Sequence, residues 1–192
     1  IGHSITLCLT VLGWISLDIM VVEALIGFTI ALVAAENIAA STGSYRQITL
    51  GAAALIGIMI LLSLNQATAL ALPILSLLGL LIFTLSYLPG IRSQAGSIAT
   101  RPALSLAFGL IHGFGFAAIL QEIGLPNDQL WPALLGFNIG VELGQLMILA
   151  AVYIVFKTLK TVVSIPEFAR DISSALLCGL GLYWFIARSY MA

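Results

Sequence analysis

The chain has 192 residues, of which 61% are hydrophobic and only 8% charged, with a formal net charge of -1. A soluble domain is about a quarter charged, so this balance excludes an ordinary water-exposed fold. It also excludes a nucleic-acid partner, since the few Lys and Arg are scattered and form no basic face to neutralise phosphates. The composition calls for a lipid bilayer as solvent.

Apolar stretches long enough to cross about 30 Å of hydrocarbon recur between short polar breaks. In chain order they fall near 1–17, 19–41, 47–64, 69–89, 102–121, 131–157 and 170–189. The breaks carry turn or stop chemistry at Ser41 to Arg46, Asn65 to Thr68, Pro89 to Arg101, Glu122 to Pro132 and Lys157 to Asp171. The expected architecture is an all-α polytopic transmembrane bundle of about seven helices, with residues 1–192 forming a single membrane domain. The chain opens at Ile1 inside an apolar run, with no basic leader, and is expected to lack an upstream helix.

Loop charge sets an expected orientation, because Lys and Arg collect on the cytoplasmic side. With seven crossings, Arg46, Arg92, Arg101, Lys157, Lys160 and Arg170 share one side, against Arg188 alone on the other with Asp18, Glu122 and Asp128. The visible N-terminus is then cytoplasmic and the C-terminus lies across the membrane. Trp14, Trp131 and Trp184 fall towards the outer ends of their segments, where amphipathic rings favour the interface. Cys8 and Cys178 lie within apolar runs and behave as small buried hydrophobes.

Ionisable groups in a membrane helix cost a few kcal/mol each, so every one asks for a partner or a role. They are His3 in the first segment, Glu23 and Glu36 in the second, His112 in the fifth and Glu142 in the sixth, with Asn37, Asn138 and Gln145 as polar neighbours. Asn138, Glu142 and Gln145 stand at i, i+4 and i+7 and share one helix face. Gly136, Gly140 and Gly144 form two G-x-x-x-G steps, and Gly109 with Gly113 forms another beside His112, which leads to the expectation that segments five and six pack closely. His112 and Glu142 each lie about 15 Å into their helices, near the midplane. His3, Glu36 and Asn37 fall in the inner third, and Glu23 lies near the outer face in a solvated or capping role.

Imidazole with carboxylate and amide oxygen suits a borderline divalent metal such as nickel, zinc, cobalt or copper. The same groups also suit a closed structural hydrogen bond, and the residues alone leave both open. The candidate metal ligands are His112, Glu142, Asn138, His3, Glu36 and Asn37.

Read in order, GHSITL at 2–7, VEALIG at 22–27 with AAEN at 34–37, GLIHGFGFA at 109–117 and GFNIGVELGQ at 136–145 resemble the HupE/UreJ membrane protein family, particularly its second branch. The run from 47 to 89 looks like an insertion between these islands. The resemblance implies a membrane accessory protein of hydrogenase and urease systems, of the kind described as a nickel or other metal permease. It also implies that His3, Glu23, Glu36, Asn37, His112, Asn138, Glu142 and Gln145 are the motif residues. A divalent metal carrier or accessory protein that serves metalloenzyme maturation is the leading expectation. The alternative is a non-catalytic structural subunit of a larger membrane complex. An intramembrane metallohydrolase ranks last, because catalytic zinc usually takes three protein ligands and the chain has two histidines. No enzyme activity is expected.

Overall fold

The computed structural model describes residues 2–64, 71–91, 94–124, 129–162 and 167–190. Among them all regular structure is helical: α1 (Gly2–Val11), α2 (Ile19–Thr42), α3 (Tyr45–Leu64), α4 (Ile74–Gly90), α5 (Gln94–Ile123), α6 (Leu130–Val162) and α7 (Glu167–Tyr190). This is the expected all-α membrane bundle. Five helices are long and apolar enough to span, namely α2, α3, α5, α6 and α7, while α1 and α4 are shorter. Arg92, Asp128 and the break at 65–68 lie outside the described residues.

Local chemistry explains most helix ends. Asp18 caps α2 by accepting from the Met20 N–H at 2.8 Å, and Gly43 closes it with φ 71° and its N–H on the Ala39 carbonyl. Pro73 precedes the first turn of α4. Two boundaries differ from expectation. The first segment, expected over 1–17, is a helix of 10 residues because Gly13, at φ 74°, turns the chain back so that Trp14 donates to Leu9. That length covers about 15 Å, half the hydrocarbon. The fifth segment, expected to start at Pro102, begins at Gln94 and carries Pro102 inside the helix.

Packing sorts the helices into close pairs. α2 lies on α7 with the backbones almost touching: a Cβ added at Gly27 would sit 2.6 Å from the Phe185 nitrogen, and one at Gly181 would sit 2.5 Å from the Ala31 nitrogen. α1 lies on α5 in the same manner, with a Cβ at Gly2 2.7 Å from the Leu106 carbonyl oxygen and the Thr6 hydroxyl donating to the Leu110 carbonyl at 2.7 Å. α3 pairs with α4, and α2 makes lighter contact with α5 and α3.

Two hydrophobic cores result. The larger joins α2, α3, α4 and α7 around Phe28, Ile56, Met59, Leu77, Leu88 and Phe185. The smaller joins α1, α5 and the first turns of α6 around Leu7, Ala117, Leu120 and Leu134.

The glycine steps divide accordingly. Gly109 and Gly113 do mediate close packing, but against Gly2, His3 and Thr6 of α1 rather than against α6. Gly136, Gly140 and Gly144 face open space, with no atom within 4 Å of an added Cβ. The expected close contact of segments five and six is therefore replaced by an α1–α5 contact. α6 joins the bundle through Leu130, Leu134 and Phe137 at one end, and its residues 145–159 are exposed on every face.

Candidate functional site in the α1–α6 seam

α1 and α6 run antiparallel, which brings His3 of one opposite the polar face of the other. His3 is 8% exposed, and its ring meets Phe116 edge-on at 6.2 Å. Together with Glu142, Gln145, Leu146 and Leu149, all exposed, it lines an open hollow of about 320 Å³. One turn along α6, the Asn138 Nδ2 donates to the Leu134 carbonyl at 2.9 Å and approaches Cys8 Sγ at 4.0 Å. Its Oδ1 therefore points away from that helix bond. The His3 Nε2 and the Asn138 Oδ1 are buried without a hydrogen-bond partner, the two such side-chain atoms among the described residues. Leaving a buried polar atom unpaired costs about 1–3 kcal/mol, so two on one seam need a reason.

His112 takes a different position. Its Nδ1 lies 2.8 Å from the Phe108 carbonyl, which can only accept, so Nδ1 carries the proton and a neutral ring keeps its lone pair on Nε2. His112 lines two cavities between α5 and α2. One, of about 410 Å³, also holds Glu23 and Trp184; the other, of about 300 Å³, also holds Thr29 and Asn37. His3, and not His112, lines the hollow that holds Glu142.

The two α2 carboxylates are held by arginines. Glu23 pairs with Arg188 of α7 at 3.0 Å, beneath which lies the Trp184 ring at 5.4 Å. Glu36 uses both oxygens: the Tyr87 hydroxyl of α4 donates to Oε2 at 2.8 Å and Arg101 of α5 donates to Oε1 at 3.1 Å. Phe83 stacks on Tyr87 at 5.3 Å and steadies that hydroxyl.

The model of the HupE / UreJ protein family matches residues 1–83 and 47–188. The chain belongs to this family. The HupE/UreJ match includes 47–83 in both stretches, so most of the run expected to be an insertion lies within the family's matched length. The HupE/UreJ family is associated with nickel and cobalt transport or accessory roles. No curated protein and no solved structure matches the chain.

The fold thus brings together His3, Glu142 and Gln145, with Asn138 one turn away, and sets His112 apart with Glu23 in one cavity and Asn37 in another. Among the described residues no group of three or more His, Cys, Asp or Glu converges. A cation in the α1–α6 seam would draw on one imidazole, one carboxylate and amide oxygens. Tyr87, Arg101 and Arg188 are partners of Glu36 and Glu23 that sequence reasoning missed. The two arginines serve there as orientation markers, and no local pattern ties them to carboxylates on a distant helix.

Proposed function

We propose that this chain is a membrane carrier or accessory protein that takes a divalent transition-metal ion such as nickel into the α1–α6 seam. The observation that carries the reading is the pair of buried polar atoms without a hydrogen-bond partner, His3 Nε2 and Asn138 Oδ1, on facing helices, where His3 and Glu142 line one hollow. The Asn138 oxygen can give electron density to a cation, and so can His3 Nε2 in the tautomer with the proton on Nδ1, while Glu142 supplies compensating charge. An imidazole with oxygen donors suits nickel, cobalt or zinc better than a wholly oxygen-seeking ion. Water or a further chain completes the coordination. The arginine-rich ends face the cytoplasm in this reading, and the ion serves metalloenzyme maturation.

Nickel binding to the purified full chain in detergent, followed by calorimetry and by metal analysis, tests the proposal. His3→Ala and Glu142→Gln are each expected to weaken binding about tenfold or more, as loss of a metal contact does. Negligible nickel, cobalt, zinc and copper in the unmodified chain would end the reading.

A second reading, a structural subunit of a larger membrane complex, draws on α6. Its stretch 150–159 is exposed on every face, and Gln145 is exposed beside the His3 hollow. Stable co-purification with a large complex, together with unchanged metal handling on deletion of the gene, would favour it.

A further inference from the structure

The two hydrophobic cores divide the described helices into two bodies. One comprises α2, α3, α4 and α7; the other comprises α1, α5 and the attached end of α6, and it carries the His3–Glu142 cavity. The glycine contacts at Gly27 with Gly181, and at Gly2 with Gly109 and Gly113, bring backbone against backbone inside each body. Such contacts resist sliding, because the first shift meets main-chain atoms rather than a side chain that can change rotamer.

The join between the bodies is of another kind. α2 meets α5 through side chains, with Ile26 Cδ1 3.0 Å and Val22 Cγ1 3.9 Å from a Cβ added at Gly115. The seam opens into two cavities that share His112 and Ile30 as a wall, and Ile26 and Gly115 line the one that holds Glu23. The two ends of the seam are unlike. Glu23 pairs with Arg188 inside its own body, whereas Glu36 pairs with Arg101 across the join. At the Arg101 end, Leu104 and Phe108 of α5 also pack against the larger core. Tyr87 holds the second oxygen of Glu36 and fixes the carboxylate where the arginine meets it.

The geometry points to a carrier of two bodies that tilt about the wall of His112 and Ile30 shared by the two cavities, with Glu36, Tyr87 and Arg101 as the latch that keeps the arginine-rich end closed. Hinged movement of packed bodies about an interface is a standard transition. Here it would widen one His112 cavity as it narrows the other. The purpose of the movement rests on the proposed carrier role; the latch itself does not.

Arg101 is 65% exposed, so Arg101→Gln removes the latch without disturbing a core. The reporter is T29C in a chain also carrying C8A and C178A, since Thr29 is buried and lines the cavity on the latch side. In vesicles that expose this side to a membrane-impermeant thiol reagent, R101Q is expected to speed labelling about fivefold, the worth of a part-exposed ion pair in a two-state equilibrium. R101K, which keeps a cation beside Glu36 and leaves the Tyr87 bond in place, is expected to label near the parent rate. The native Cys178 in a C8A chain, which lines a cavity inside the larger body, is the control and is expected to label at an unchanged rate. An unchanged T29C rate in R101Q, labelling of R101K as fast as that of R101Q, or equal acceleration at Cys178 would overturn the latch. Nickel binding by R101Q is expected to match the parent chain. Loss of nickel binding in H3A, by contrast, bears on the α1–α6 cavity and leaves the labelling rates as they are.

Discussion

Gly181→Ala is expected to lower the thermal or detergent unfolding midpoint severely, against the ordinary preference of a helix for alanine. In an open helix position, alanine in place of glycine stabilises by about 0.5–1 kcal/mol. At Gly181 the new Cβ would lie 2.5 Å from the Ala31 nitrogen, 2.9 Å from its Cα and 2.9 Å from the Gly27 carbonyl oxygen. All three are main-chain atoms, so no rotamer change relieves the clash. α7 must withdraw from α2, and the buried contacts of Phe28, Ala31 and Phe185 loosen along the pair. Overpacking against movable side chains costs about 1–3 kcal/mol, and a rigid backbone raises that figure. Gly136→Ala and Gly140→Ala are the controls, since nothing stands within 4 Å of a Cβ there, and both are expected to match or slightly exceed the parent stability. A Gly181→Ala chain as stable as the parent would show that α2 and α7 do not pack backbone to backbone.

The second large effect runs in opposite directions for stability and binding. Asn138→Leu removes a buried oxygen that has no partner, and the amide bonds it gives up are a local one to its own helix at Leu134 and a weak one to Cys8 Sγ at 4.0 Å. His3→Leu removes the buried, unpartnered Nε2 in the same way. Each substitution is expected to raise stability by about 1–3 kcal/mol, the cost of an unmet buried polar group. Each is also expected to lower nickel affinity, because the deleted atom is a proposed ligand. Functional groups held at the expense of stability are common in binding sites. Unfolding midpoints and nickel titrations on the same preparations separate the outcomes. If both variants unfold more easily than the parent, the polar atoms serve packing, and the metal site loses its main support.

Much of the helix order was legible because its signals are local. Asp18 beside an apolar run and Gly43 after one mark the ends of α2 by capping chemistry that needs no other helix. The same kind of signal misled where it was ambiguous. Gly13 ends α1 early inside a run whose hydropathy continues, and Pro102 suggests a start where the helix only passes through. The i, i+4, i+7 spacing of Asn138, Glu142 and Gln145 correctly groups them on one face of α6, but spacing names a face and not the helix that meets it. His3, not His112, lines the cavity with Glu142.

The sequence by itself determined that this is a helical membrane protein, which of its residues are too polar for lipid, and which family it resembles. Those properties follow from composition and from periods shorter than one helix. The tertiary structure decided the pairings: α1 rather than α6 against Gly109 and Gly113, and Glu36 with Tyr87 and Arg101 across 51 and 65 residues of chain. The physical reason is that every segment here is apolar, so hydrophobicity places all of them in the bilayer and favours no neighbour. The choice falls to close backbone approach at a few glycines and to the reach of a few charged side chains, which exist only once the helices stand together.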